Sequence, residues 1–256
     1  LQVFTNLEML HPAVSTRAVD GQWESNDTIG ISSTGMMDNM KFTRSGTSNQ
    51  FVSASTVWFK DKGVRSFSAY YPYNANPTND LIMFQVPDSA IQSKQKVNDF
   101  LFASGQASYA YPSLTLNFTH KMARVFIKIY PSPEYGFTTN DFSGSILTFC
   151  DYFDSGTFNI KTGKVECSEE SVSTGYFGEV KSSYMTFLLY VPAQTVPNIQ
   201  LDLQNGEHYT FSINDKWEAG HSYSYSLKPV RSKLQITSVS ISSWESEQEQ
   251  SIPGYI

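Results

Sequence analysis

Side chains that commonly do chemistry are few and scattered in this chain of 256 residues. The four histidines, His11, His120, His208 and His221, lie in different segments and form no HExxH pattern or other paired metal-ligand spacing. The Gly-rich loops that cradle phosphates and the GxSxG turn of serine hydrolases are also missing from the sequence. Because a metal or catalytic site needs several convergent groups, we expect no catalytic residue, no metal and no cofactor. The sequence predicts that the protein is not an enzyme.

The two cysteines, Cys150 and Cys167, are too few for a disulfide scaffold. They fit a single bridge, which the oxidising compartment of an exported protein would permit, or two separate half-buried thiols. The spacing of Cys150 and Cys167 along the chain does not determine the distance between their Cα atoms, so both interpretations stay open.

Tyrosines offer another kind of chemistry, the binding of sugars. Tyr109 and Tyr111 lie in a polar, loop-like stretch, where flat rings can stack on a sugar and hydroxyl groups can bond to it. Tyr71 and Tyr73 instead share an alternating face with Phe67, which is typical of side chains packed in a core. We therefore predict glycan contacts at Tyr109 and Tyr111.

The composition limits the class of protein and of partner. Charged residues make up 16% and aromatic residues 14%, which excludes a disordered chain or a coiled coil. The net charge is −6 and no basic block occurs, so we expect no nucleic-acid partner. No apolar run approaches the ~20 residues of a membrane helix. Since the sequence starts at Leu1 rather than Met, we expect that a targeting peptide has been removed.

Period-two alternation of apolar and polar residues runs through most of the sequence. Leu114, Leu116 and Phe118 alternate with polar residues, as half-buried strands do, whereas Met185–Val191 is apolar on both faces and predicts a central strand. Short strands with regular turn signals are typical of β-sandwiches. We predict an all-β fold of two tandem antiparallel β-sandwich domains, with residues 1–119 in the first and 120–256 in the second.

Two local features are predicted in detail. A three-residue loop, Gln204-Asn205-Gly206, brings the apolar faces of its flanking strands into agreement, with Gly206 in the left-handed region. Near the end of the chain the apolar positions change parity between Ile236 and Val239. Because side chains alternate strictly along a strand, a bulge or a change of sheet is predicted near Thr237-Ser238.

Several segments, in this order and spacing, resemble the fimbrillin family of Bacteroidales, which includes Bacteroides. No single segment is specific, and the resemblance lies in the set, which covers most of the chain. The segments are Thr16-Arg17-Ala18, Trp23, Asp27–Ile31, Phe67–Tyr73, Asp99–Ala103, Leu116–Val125, Tyr190–Gln194, Trp217–Tyr223 and Ile241–Trp244.

The resemblance implies a structural role at the cell surface. Fimbrillins have two transthyretin-like β-sandwiches and are exported lipoproteins, anchored in the outer membrane through a lipidated Cys upstream of the mature chain. In polymerising members an arginine-specific protease releases the first strand, and a neighbouring subunit donates a strand to the exposed groove. The matching position here is Arg17, which also fits an ordinary solvated loop residue. The expected partners are other fimbrial subunits, by donor-strand addition, and a surface glycan or protein.

Two short segments fit the O-glycosylation pattern of exported proteins in this bacterial group, Asp27-Thr28-Ile29 and Asp88-Ser89-Ala90. Thr28 lies in a predicted strand, so Ser89 is the better candidate.

The end of the chain leaves the position in a fimbrium open. Residues 234–244 alternate well enough to be a terminal or donated strand, whereas Glu245–Gln250 has no apolar face to fill a groove. Either residues 234–244 form the strand that is donated to a neighbouring subunit, or this subunit donates no strand and lies at a tip or anchor of the fimbrium. We expect a fimbrial structural, tip or accessory subunit that contributes to adhesion, and the alternative is a surface carbohydrate-binding module that never polymerises.

Overall fold

The computed structural model describes residues 1–7, 23–212, 215–231 and 233–244. Arg17 and His11 lie outside these residues, as does Glu245–Gln250. The structured segments are almost all β-strands, with one helical turn, α1 (Gln92–Gln95), and short 3-10 helices at Lys96–Asn98, Pro133–Tyr135 and Thr139–Phe142. No helix among the described residues has the length and apolar character to cross a membrane.

The strands follow one another closely along the chain. They are β1 (Gln2–Leu7), β2 (Thr28–Ser33), β3 (Met37–Arg44), β4 (Gln50–Val52), β5 (Val64–Tyr71), β6 (Leu81–Gln85), β7 (Leu101–Ser108), β8 (Ser113–His120), β9 (Ala123–Ile129), β10 (Ile146–Tyr152), β11 (Ser155–Asn159), β12 (Val165–Cys167), β13 (Val172–Phe177), β14 (Glu179–Val180), β15 (Met185–Val191), β16 (Gln194–Thr195), β17 (Asn198–Asp202), β18 (His208–Phe211), β19 (Lys216–Trp217), β20 (His221–Val230) and β21 (Lys233–Ser243).

The described residues form two compact units, and neither unit is a continuous segment. The first comprises residues of Leu1–Met83, Asp99–Lys121 and Thr157–Glu166, and the second comprises Phe84–Asn98, Met122–Gly156 and the rest from Cys167 onward. A single boundary between residues 119 and 120 therefore misplaces three segments, 84–98, 120–121 and 157–166. The alternation of apolar and polar residues identifies which face of a strand is buried, but not which sheet the strand joins. The sequence therefore does not predict that these segments belong to the other unit.

The first unit is a closed barrel with the strand order β1-β4-β3-β2-β5-β7-β8. Its interior is filled by one apolar cluster, to which most strands contribute alternate side chains, including Val3, Ile31, Phe51, Phe67 and Leu116. The all-β, two-unit prediction is confirmed, but the first sheet closes on itself. Closure requires β1 to lie parallel to β8, whereas an antiparallel arrangement was expected.

The second unit is a sandwich. Strands β13-β10-β17-β18 continue into β21-β20-β9-β15-β14 through a single parallel pair, Thr210 with Lys233. Side chains from both halves form one core, with Val125 and Leu189 from one half and Phe149 and Leu201 from the other. β15 is buried on both faces, as its continuous apolar run predicts.

Both local predictions in the second unit are confirmed. Leu201 pairs with Tyr209, the Leu203 N–H donates to the Glu207 carbonyl at 2.9 Å, and Gly206 has a φ of +88°. In β21, Ser238 pairs with Ser226 and Ile236 with Leu227, so Thr237 is the extra residue of a bulge.

Candidate functional site

In the first unit, β1 occupies a place between two strands that are distant from it in the sequence. This strand lies between β4 and β8 and fills what we call the β1 slot. It runs parallel to β8 over six pairs, from Gln2 with Ser113 to Leu7 with Phe118, and antiparallel to β4 over two. Val3 and Thr5 point inward and are completely buried, while Gln2 and Phe4 are exposed. The alternation of these four residues therefore orients β1 as one wall of the barrel.

Aromatic rings tie together the two strands that flank the β1 slot. The ring of Trp23 lies edge-on to Phe51 of β4 at 5.0 Å and to Phe118 of β8 at 5.3 Å between centroids. Phe51 is also the pairing partner of Val3. Edge-to-face pairs contribute about 0.5–1.5 kcal/mol each beyond their buried area. The walls of the slot therefore have contacts with Trp23 that do not depend on β1.

A buried polar group lies next to these rings. Tyr71, whose ring is 5.4 Å from that of Trp23, donates its hydroxyl hydrogen to Asp27 Oδ1 at 3.1 Å. Burial raises the pKa of Tyr71 well above its ordinary value, and the negative charges of Asp27 and Asp99 add to that rise. Nδ1 of His120 lies 2.7 Å from Asp99 Oδ1, with both side chains buried. The hydrogen bonds between these groups satisfy polar atoms that are buried in the core.

In the second unit, an edge of β15 is covered by the segment that carries α1. The Leu188 N–H donates to the Ala90 carbonyl at 2.8 Å, and the Tyr190 N–H donates to Oε1 of Gln95 at 3.2 Å. The amide nitrogen of Gln95 in turn donates to the carbonyls of Pro87 and Ser89. Covering an edge in this way prevents unplanned strand pairing. Sequence reasoning missed Gln95, because a single glutamine carries no signal of burial.

The predicted glycan contacts are exposed. Tyr109 and Tyr111 lie in the turn between β7 and β8, with exposed fractions of 64% and 80%. The turn is closed by mutual backbone hydrogen bonds of 3.1 Å between Ser108 and Tyr111. Both rings are therefore available to a partner, and their role in glycan binding stays a prediction.

The other predicted sites are distributed over both units. Thr28 is half-buried in β2 and Ser89 is half-buried beside Phe177 of β13. Cys150 and Cys167 are free thiols, and the suggested bridge is not formed. They have different neighbours, because Cys150 pairs with Asn198 while Cys167 Sγ lies 4.0 Å from the Ala193 carbonyl oxygen.

The remaining histidines have ordinary partners. Nδ1 of His208 lies 2.5 Å from Asp202 Oδ1, and Nδ1 of His221 lies 3.1 Å from the Ala219 carbonyl oxygen. Among the described residues, no three His, Cys, Asp or Glu side chains converge as metal ligands would.

Comparison with known proteins identifies the relatives of this chain. A family model described as fimbrillin-like matches residues 16–244. A candidate fimbrium subunit of Bacteroides uniformis, Fim1C, is 24% identical over 249 residues, which cover 88% of this chain and 80% of that protein. A crystal structure of a candidate cell adhesion protein from the same species has a TM-score of 0.73 and 19% identity, over 95% of this chain and 97% of that one. Another, from Bacteroides ovatus, has a TM-score of 0.72 and 23% identity, over 96% and 98%.

At these identities the two crystal structures show a shared fold. The family match is broader evidence, because it extends from residue 16 to residue 244 and so includes strands of both units. The chain therefore belongs to the fimbrillin-like family.

Proposed function

We propose that this protein is a fimbrial subunit of the bacterial cell surface that joins a neighbouring subunit by strand addition at the β1 slot. The position of β1 is the observation that supports this most, because a short strand with two buried side chains fills a place between two other strands. Family membership supports the fimbrial location, as do the names of relatives, a candidate fimbrium subunit and candidate cell adhesion proteins.

The chemistry of exchange follows from the pairing of β1. Without β1, β4 and β8 would each present unpaired N–H and C=O groups beside the apolar space that Val3 occupies. A donated strand with the same alternation satisfies both needs. The six pairs between β1 and β8 are parallel, and parallel pairs are slightly less stable than antiparallel ones. β1 is therefore a strand that a better-paired one can replace.

Release of β1 requires a cut in the chain, and Arg17 is the proposed position. Cleavage there would free residues 1–17, which include all of β1. The proposal also includes anchoring in the outer membrane through a lipid attached upstream of this chain.

Limited digestion with trypsin tests the release of β1. The folded protein should lose residues 1–17, measured by intact mass, and the product should then form ladders that resist mild denaturant. The control is Arg17→Gln, which leaves the other trypsin sites unchanged and should give neither the mass loss nor the ladders. Resistance at Arg17, or a cleaved product that stays monomeric, would contradict the proposal.

A peptide probe tests the slot itself. A labelled peptide with the sequence of residues 1–7 should bind to the cleaved protein and block its ladders. The same peptide with Val3→Asp should do neither, because it would place a charge in the apolar space. Equal binding of both peptides would show that the slot does not receive the strand.

A second candidate function is a surface carbohydrate-binding module that does not polymerise. The exposed rings of Tyr109 and Tyr111 favour it, because aromatic faces stack on sugars. Under this alternative the protein stays monomeric after trypsin treatment and binds glycans on an array. A Tyr109→Ala variant with unchanged glycan binding would count against these contacts.

A further inference from the structure

A cleft of about 930 Å³ with both polar and apolar lining lies on the first unit. Its lining comes from β2, β3 and the turn between them, from β5 and β7, from Lys60 and Asp80, and from the turn at Lys161–Thr162. None of it comes from β1, β4 or β8. This volume falls within the range of about 300–1,000 Å³ that is typical of small-molecule sites. The cleft is therefore separate from the β1 slot and large enough for a ligand.

The floor of the cleft is a row of serines across three strands. Ser32 of β2 pairs with Ser68 of β5, and Ser68 pairs with Ser104 of β7. Their neighbours on β5, Phe67 and Ala69, belong to the barrel core, so the serines lie on the opposite face. A serine side chain is small and its hydroxyl both donates and accepts hydrogen bonds. The Ser32 hydroxyl is already engaged, because it accepts from Lys161 Nζ and from the Asn39 N–H and donates to Asp38 Oδ1. The hydroxyls of Ser68 and Ser104 therefore supply the hydrogen-bonding capacity of this low floor.

Charged groups at the side of the cleft are arranged around Lys161. Its Nζ donates to the Asp38 carboxylate and, at 2.8 Å, to Ser32 Oγ, and it lies 3.7 Å from Asp80 Oδ1. The hydrogen bond from Lys161 is the largest cause of the lowered pKa of Asp38. A second ammonium group, on Lys60, donates to the Gly35 carbonyl at 3.1 Å. The charges of the two lysines and two aspartates cancel in the lining.

Apolar surface completes the cleft. Phe102 of β7 is half-buried, and Gly163 lies against its ring. A Cβ at Gly163 would be 2.4 Å from Cγ of Phe102, and the residue has a φ of +70°, so only glycine allows this close approach. The turn therefore holds the Phe102 ring at the side of the cleft, where Met36 adds further apolar surface.

We propose that this cleft binds a neutral carbohydrate. Sugar hydroxyls match the serine floor, the carboxylates can accept from them, the ammonium groups can donate to them, and C–H surfaces can lie on Phe102 and Met36. An extended peptide would need a free strand edge, whereas this floor is the face of paired strands. An anionic ligand would need an excess of positive charge, which the lining does not have. The inference does not rest on strand exchange.

The test is binding of the full chain to an array of neutral, sialylated and sulfated glycans, followed by titration calorimetry with the best neutral glycan. Ser104→Trp fills the floor and should abolish binding. Asp38→Asn should weaken binding about tenfold, as expected for the loss of one hydrogen bond to a charged group. The matched control is Thr210→Trp, at an exposed position of β18 in the second unit, which should bind as the parent does.

Each outcome decides the proposal. Failure to bind any neutral glycan, or unchanged binding by both Ser104→Trp and Asp38→Asn, overturns it. Binding only to sialylated or sulfated glycans also overturns it. Loss of binding in Tyr109→Ala alone would place the glycan at the β7–β8 turn instead. If circular dichroism shows that Ser104→Trp does not fold, the binding of Asp38→Asn and Lys161→Gln is measured in its place. Strand exchange is measured separately by the ladders, so the failure of one proposal is distinguishable from the failure of the other.

Discussion

The strands nearest the two ends of the described chain, β1 and β21, are built in opposite ways. β1 has six residues and two neighbouring strands, and its inward side chains Val3 and Thr5 are completely buried. β21 has eleven residues and pairs with β20 at ten positions, but with β18 only at Lys233. Leu234 is the one buried side chain along β21. The inward side chains of β1 thus fill a core, whereas β21 is held mainly by pairing with β20 and adds one buried side chain to the core of the second unit.

The difference shows which of the two strands leaves a receptive site when it is removed. Loss of β1 would open an apolar space between two strands, each with unpaired backbone groups. Loss of β21 would expose the edges of β18 and β20, the core contact of Leu234 and the half-buried contacts of Val239 and Ile241, but only one fully buried side chain would leave with it. Under the proposed strand addition, the first unit is therefore the one expected to accept a strand, whereas β21 is held by extensive pairing.

The largest effect is expected from placing a charge in the β1 slot. Val3→Asp puts a carboxylate where no water reaches, and we expect it to lower the free energy of unfolding by about 4 kcal/mol. Gln2→Asp is the matched control, because Gln2 is the exposed neighbour and should change stability by less than about 0.5 kcal/mol. Urea unfolding measures the difference, and hydrogen exchange in β8 should locate it. Equal effects of the two variants would show that β1 does not fill the core.

At the other strand, the largest contribution should come from the residue that follows it. Trp244 is buried, its ring lies 4.8 Å from that of Tyr190, and the guanidinium carbon of Arg124 lies 5.5 Å from the Trp244 ring. Trp244→Ala should cost about 3 kcal/mol and increase hydrogen exchange in the last residues of β21. Trp244→Phe keeps the ring contact and should retain most of the protection. Unchanged exchange in Trp244→Ala would mean that pairing with β20 alone holds the strand.

A smaller difference in the free energy of unfolding is expected when each of two buried tyrosines, one in each unit, is replaced by phenylalanine. Tyr71 donates to the carboxylate of Asp27, whereas the hydroxyl of Tyr225 accepts from Nε1 of Trp217 at 3.1 Å. Tyr71→Phe should cost about 2 kcal/mol, because the Asp27 carboxylate loses one of its buried donors and keeps the Glu24 N–H. Tyr225→Phe should cost about 1 kcal/mol, because its partner is neutral. Unfolding at pH 8 measures both values, and a larger effect at Tyr225 would contradict the assignment.

The same tyrosines predict a loss of stability at high pH. Burial raises the pKa of both, so their contribution is fully present below about pH 10, where the unfolded tyrosine ionises, and is lost as the pH rises further. The parent should therefore lose more stability between pH 8 and pH 11 than either phenylalanine variant does. Equal losses in parent and variants would show that neither hydroxyl is held in its neutral form.

Features of one hairpin or one strand could be predicted from the sequence because their causes are local. Gly206 allows the positive φ that a three-residue loop needs, and a change of parity between Ile236 and Val239 requires an extra residue such as Thr237. In both cases a few consecutive residues contain all the information.

Features that join distant segments could not be predicted in this way. The parallel pairing of β1 with β8 joins residues more than a hundred positions apart, and the cleft needs Ser32, Ser68 and Ser104 in register beneath a turn that begins at Lys161. The alternation of apolar and polar residues places each residue on one face of its strand, but it does not determine which other strand lies beside it. The candidate sites therefore depend on pairing, which residue types alone do not specify.

The smallest effect is expected in the middle of β21, and it completes the contrast with β1. Ile236 is 37% exposed, so Ile236→Asp introduces a charge that remains in contact with water. We expect a change in the free energy of unfolding of about 0.5 kcal/mol or less, against about 4 kcal/mol for the same substitution type at Val3. Leu234→Asp is the control on the same strand, since Leu234 is buried and should behave like Val3. If Ile236→Asp cost as much as Val3→Asp, the middle of β21 would also fill a core, and the contrast between β1 and β21 would fail.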